Sequence, residues 1–499
     1  MKKTRLFILV GMALVMLMAA LPAFADPNPG EGNTDVIVTN TNQNTGAAAA
    51  QVTAIYYNTG GSAEYNRNRT VNSRGSYNFK AADAQLGDNW NGSMVLQSDN
   101  ELAAVAEVKY TGGSFDDGKE TDAYTGYAVG ASQMYFPFVA YASNQYTVLT
   151  IQNTEDTAVT VQMTYTNRDG TVDFANVSTN IPALGSKSFA MNTPGQNGVP
   201  NLTQTSFWSQ NGYWNGAVKV VVQNSKKVAA VASNHWNYWS VAYNGAPGGA
   251  QTNYVPSAER RDSTAQGLGW RGFSVITLQC VSNSTCNSRF RFYNATNGNL
   301  DLTLTKNVNS GAAIAANTRT GGDFNASQYN VLGNAWAGSV VVDTTNGTEI
   351  SVISYSIRPG NNVAGSTTAA NSADGGKESF LPAIYQRNTD NVSCPNDPNN
   401  DWIQYSLIRI QNPTNNNATD VDIYFYNLDG STAYQELNLS IPAGKSLNRN
   451  TRVNCSSINL GGNWTGSVYI HSNVDLVAVS ETLVGGSDMS AYNGYSINR

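Results

Sequence analysis

A Trp-x-Gly triplet recurs four times along the 499 residues: Trp90-Asn91-Gly92, Trp214-Asn215-Gly216, Trp336-Ala337-Gly338 and Trp464-Thr465-Gly466. The steps are even, at 214 − 90 = 124, 336 − 214 = 122 and 464 − 336 = 128. A period of this size is an ordinary single-domain length, and it is too long for solenoid repeats of about 20–50 residues. The chain therefore reads as one domain written four times, with expected bounds 26–131, 132–250, 251–376 and 377–499 after a leader at 1–25. Such arrays work more often by reach, display or assembly than through one singular site.

Other marks keep the same phase. A closing motif follows the tryptophan as Ala123-Tyr124-Thr125-Gly126, Ala242-Tyr243-Asn244-Gly245 and Ala491-Tyr492-Asn493-Gly494, and the third copy shows only Val363-Ala364-Gly365-Ser366. Repeats two to four open on Tyr135-Phe136-Pro137, Tyr254-Val255-Pro256 and Phe380-Leu381-Pro382. Ile151-Gln152-Asn153, Leu278-Gln279-Cys280 and Ile410-Gln411-Asn412 come next. The first repeat has no such opening, because a polar, Pro/Gly-rich stretch from Asp26 to Asp35 precedes Val36-Ile37-Val38. One terminal repeat is thus expected to lack a strand that its siblings have, and an unpaired sheet edge invites strand addition.

Within a repeat the pattern is that of strands. Val159, Val161, Met163 and Tyr165 alternate with polar residues, and Asp169-Gly170 supplies a turn. Val421, Ile423, Phe425 and Asp429-Gly430 repeat this in the fourth copy. No helical period appears after the leader. The expectation is an all-β chain of four tandem immunoglobulin-like β-sandwich domains. Trp90, Trp336 and Trp464 are expected in the cores, and the following glycine allows close backbone approach.

The set of aromatic-Pro opening, Ile-Gln-Asn strand end, Trp-x-Gly-Ser and closing Ala-Tyr-Asn-Gly resembles tandem β-sandwich repeats of uncharacterised exported surface proteins of filamentous bacteria, Chloroflexota among them. The resemblance spans all four repeats. It implies a cell-surface or extracellular-matrix role and carries no catalytic residue to transfer.

The amino terminus reads as a signal peptide. Lys2, Lys3 and Arg5 precede an apolar run from Leu6 to Met18, and Ala23-Phe24-Ala25 suits cleavage before Asp26. The expected location is extracellular. Charged residues are 13% and net charge is −6, which argues against nucleic acid and anionic membranes as partners. No later stretch is apolar enough for membrane insertion. Four cysteines in an exported chain suggest two disulfides, and pairing within repeats gives Cys280–Cys286 and Cys394–Cys455.

Histidine is limited to His235 and His471, and no hydrolase, zinc or phosphate-loop motif is present. A non-enzymatic protein is expected. Trp208, Trp236, Tyr238 and Trp239 form an aromatic group suited to stacking on sugars, and packing between domains or subunits competes with that reading. Asp116, Asp117, Glu120 and Asp122 form an acidic loop with oxygen ligands for calcium, as does the Asn396–Asp401 stretch; a solvated turn is the competing reading, and no other cofactor is expected. The functional expectation is a secreted structural protein that self-assembles head-to-tail into a filament, sheath or surface layer. A soluble carbohydrate-binding or cell-adhesive protein is the alternative.

Overall fold

The computed structural model describes residues 30–87, 90–112, 121–236, 239–359, 363–371, 375–392, 394–395, 402–484 and 488–497. The leader, Asp116, Asp117, Glu120, Tyr238 and the 396–401 stretch lie outside them. Among the described residues the protein is all-β. Repeat one holds β1 (Gly30–Asn40), β2 (Ala50–Asn58), β3 (Ala63–Val71), β4 (Ser76–Phe79), β5 (Gly92–Ser98), β6 (Leu102–Gly112) and β7 (Thr121–Thr125). Repeat two holds β8 (Gln133–Ala142), β9 (Gln145–Asn153), β10 (Val159–Asn167), β11 (Val172–Ile181), β12 (Ser186–Ala190), β13 (Trp214–Val222), β14 (Val228–Trp236) and β15 (Trp239–Asn244). Repeat three runs β16 (Thr252–Ser263), β17 (Gly269–Cys280), β18 (Cys286–Asn294), β19 (Leu300–Val308), β20 (Ala313–Asn317), β21 (Gly321–Gly322), β22 (Ala335–Thr344), β23 (Ile350–Arg358), β24 (Val363–Thr368) and β25 (Ala370–Asn371). Repeat four runs β26 (Gly376–Asn388), β27 (Trp402–Gln411), β28 (Ala418–Asn427), β29 (Thr432–Ile441), β30 (Ser446–Asn450), β31 (Asn463–Val484), β32 (Asp488–Asn493) and β33 (Tyr495–Ile497).

In repeat two the order β11-β10-β13-β8 forms one half of the fold, and β12, β9, β14 and β15 form the other. The two halves join where β8 turns into β9 at Tyr141 and Ala142. Repeat three repeats this order as β19-β18-β22-β16 and β20-β17-β23-β24. In repeat four β31 serves both halves, pairing with β28 and β26 through its first part and with β27 and β32 through its second. Val159, Val161, Met163 and Tyr165 all point inward and are buried, as the alternation requires. Val421, Ile423 and Phe425 do the same in repeat four.

Repeat one differs. Its sheets are β4-β1-β6-β7 and β3-β2-β5, the second with three strands. By register β1 corresponds to β9 and β5 to β13, so the absent member is the aromatic-Pro strand that β8, β16 and β26 provide elsewhere. Among the described residues β5 pairs with β2 alone.

Two sequence expectations need correction. A short α-helix, Ser206–Asn211, stands in repeat two, capped by the Thr205 hydroxyl and ended by Gly212 at φ 72°. Six residues are too few to register as a helical period. The closing motif of repeat three is Ser366–Ala369 rather than 363–366. Ala369 N donates to Val352 O as Gly126, Gly245 and Gly494 donate to Ala104, Ala230 and Ala478. Thr367 therefore stands where the other copies have tyrosine.

The four repeats close into a cycle. β7 packs against β15, β15 against β24, β24 against β32, and β32 back against β7. A second set of contacts runs through the turns. Ser186 N donates to Thr59 O at 3.3 Å, and Arg168 pairs with Asp323 at 2.5 Å. Lys445 Nζ donates to Asn297 O at 2.9 Å, and Ser76 N donates to Leu428 O at 2.9 Å. The last of these joins repeat four to repeat one. The cores merge across junctions as well: Ile353, Tyr355 and Ile357 belong to the core of repeat two, and Ile37, Val105 and Ala123 to that of repeat four.

Candidate functional site

The tryptophan of each repeat anchors its strand from inside. The indole N–H donates to Glu64 (2.6 Å), Asp173 (2.7 Å), Asp301 (3.0 Å) and Asn427 (2.8 Å) in turn. The glycine two residues on lies against the carbonyl oxygen of Tyr57, Thr166, Tyr293 or Tyr426, where a Cβ would collide. Trp214, Trp336 and Trp464 are buried, but Trp90 is only half-buried, contrary to expectation. The same contrast marks the next inward positions. Val218, Val220, Val340, Val342, Val468 and Ile470 are at most 1% exposed, whereas Met94 and Leu96 of β5 are half-buried. The missing strand is the cause, since Phe136, Val255 and Leu381 sit beside Val218, Val340 and Val468 in the complete repeats.

The tyrosine of the closing motif packs onto that same strand. Tyr243 donates to Phe138 O, and Tyr492 to Ala383 O at 2.7 Å.

Each junction is built around one position three residues beyond Ala104, Ala230, Val352 and Ala478: Glu107, Ser233, Tyr355 and Glu481. Tyr355 lies among Phe138, Trp236 and Tyr243, at centroid distances of 5.5, 6.0 and 6.4 Å. Glu481 accepts from the Ser257 hydroxyl and pairs with Arg358 (3.1 Å) and Arg409 (3.2 Å). Arg358 also pairs with Glu259 at 3.0 Å. Burial pushes the Glu481 carboxyl up, but the two guanidiniums outweigh it and hold it at about 2. Glu107 accepts from Tyr385 Oη at 2.8 Å. Burial pushes it up to about 7, against that bond and the attraction of Lys109. Ser233 has no aromatic-Pro strand opposite it and donates to Asp122, which also accepts from Tyr110 Oη at 3.0 Å. Burial raises Asp122 to about 6 despite these hydroxyls, and lowers the neighbouring His235 to about 3.

Of the aromatic group, Trp236 and Trp239 sit 6.3 Å apart, half-buried, and belong to the packing around repeat two and its junction with repeat three. Trp208 stands on the short helix, 5.0 Å from Tyr141, and packs against the same core. Asp122 is turned inward and buried at a junction. Among the described residues no group of three His, Cys, Asp or Glu side chains is placed to hold a metal. Both disulfides, Cys280–Cys286 and Cys394–Cys455, are formed. No helix of the described residues is long and apolar enough to cross a membrane.

The junction residues escaped the sequence reading. The signal was present: the position of Glu107, Ser233, Tyr355 and Glu481 changes chemistry from copy to copy on an otherwise constant strand.

No family model matches the chain, and no curated protein matches it. Among solved structures it is similar to one described as Thermotoga maritima 1070, with 19% identity over 25% of this chain and 97% of that one, TM-score 0.20. The Anabaena sensory rhodopsin transducer matches with 19% identity over 21% of this chain and 87% of that one, TM-score 0.17. Scores this low carry no argument about fold or function.

Proposed function

We propose that the chain is a secreted, non-enzymatic structural protein of four immunoglobulin-like β-sandwich domains, and that it works as a subunit of an extracellular filament, sheath or surface layer. The observation that carries this reading is the β5 edge, unpaired among the described residues, on an otherwise closed cycle. Repeat four already docks on repeat one within the chain, so contacts between chains must use another surface. An edge that accepts a strand differs from the surface that donates one. Such a heterologous contact propagates head-to-tail unless its rotation closes. The two disulfides suit an oxidising, extracellular location. Sedimentation and negative-stain microscopy of the mature chain test the reading. Regular polymers are expected, and a strict monomer at high concentration overturns it. The half-buried Trp208–Tyr141 pair favours a second reading, carbohydrate binding, for which a glycan array and a Trp208→Ala variant are the test.

A further inference from the structure

We infer that the open edge of β5 is a receptor for one extended segment of another polypeptide, carrying an aromatic residue, an apolar residue, a proline, any residue and a second apolar residue in that order. The inference deepens the assembly reading and rests on it.

The three complete repeats show the occupant of this edge and its chemistry. In repeat two Phe136 lies beside Val218, the register slips at Pro137, and Val139 lies beside Gly216. In repeat three the slip falls between Val255 and Ala258, around Pro256; in repeat four it falls between Leu381 and Ile384, around Pro382. The two apolar residues flanking each slip are buried in all three. The proline suits the position because a bulge residue needs no ladder N–H. Repeat one keeps every other part of this receptor. β5 pairs with β2 in the register that β13 keeps with β10, with Met94 opposite Tyr56 as Val218 is opposite Tyr165. Gly92 keeps the place of Gly216. Among the described residues the strand itself is absent, and Met94, Leu96 and Trp90 are left half-buried.

The chain itself is a poor source in cis. Among the described residues the segments with this pattern, Tyr135–Val139, Tyr254–Ala258 and Phe380–Ile384, are each already paired with the Trp-x-Gly strand of their own repeat. A β5 edge from a second copy is a poor fit too. Its sequence, Gly92-Ser-Met-Val-Leu-Gln-Ser98, contains neither the aromatic residue nor the proline that forms the slip.

The test uses the mature full chain and a labelled synthetic peptide of Gln133–Ala142. Saturable one-to-one binding is expected, with amide exchange slowed at residues 93–97. A peptide carrying Phe136→Asp should bind at least tenfold more weakly. A variant in which a copy of residues 133–144 replaces residues 26–29 should fill the edge in cis, melt at a higher temperature and no longer take up the peptide. Equal binding of the substituted peptide, binding without protection of β5, or a two-fold dimer joined β5 to β5 would each overturn the inference. If the peptide fails to bind while the mature chain still polymerises, strand reception falls and the assembly reading stands. If the peptide binds and the chain stays monomeric under all conditions, strand reception stands and self-assembly falls.

Discussion

At the scale of single residues, the four tryptophans are one experiment repeated in different surroundings. Trp214 is buried completely, and its replacement by alanine should cost roughly 3–5 kcal/mol in chemical denaturation. Trp90→Ala should cost markedly less, since part of that ring is already in water; equal losses would show that β5 is covered after all. Glu107 provides a second prediction, from its titration. Its carboxyl ionises near pH 7 in the folded chain, above the ordinary glutamate value of 4.5. The unfolded chain therefore releases its proton first, and stability falls as pH rises from about 4.5 to about 7, by on the order of 3 kcal/mol. Glu107→Gln should remove this contribution, read as the difference between variant and parent in melting temperature against pH, while Asp122, likewise raised, keeps its own fall up to about pH 6 and the acid-side loss remains. That loss comes from His235 and Glu481, whose folded values are lowered, so that acid favours the unfolded chain.

At the scale of strands and loops, sequence reading succeeded where the information was local. The alternation at Val159–Tyr165 and Val421–Phe425 assigned inward faces correctly, and the missing opening segment pointed to a terminal repeat short of a strand without saying which; among the described residues it is repeat one. It failed at the closing motif of repeat three, where Thr367 has lost the tyrosine and only the bond from Ala369 to Val352 fixes the register. It failed again at Glu107, Tyr355 and Glu481, because what faces them comes from another repeat more than 100 residues away. Strand periodicity says which face is inward, not what meets an outward one. The disulfides are a prediction at this scale. Cys394–Cys455 spans 61 residues and Cys280–Cys286 spans six. By loop entropy the first should stabilise by about 4 kcal/mol and the second by about 2 kcal/mol. Serine pairs at each site, compared by denaturant midpoint, check the order; a larger loss at 280–286 would point to native-state packing rather than loop closure.

At the scale of the whole molecule, the contact between repeats four and one is of the same kind as those between covalent neighbours. A chain cut by a protease site inserted after Pro247, between repeats two and three, should therefore still run as one particle in size-exclusion chromatography, and separate only in denaturant. Two free halves would mean that the linkers hold the cycle together. The chemistry of the junctions has a further consequence. Four modules of nearly the same shape could pair in several wrong orders while the chain is folding. Glu481 set against Phe138 would bury a charge without Arg358 or Ser257, and Tyr355 set against Ala383 of repeat four would forfeit its aromatic neighbours. Each junction thus works as an address, legible to one neighbour and costly to the others. The copies share a shape, and the side chains that meet at each junction differ, which should set the order in which the copies sit.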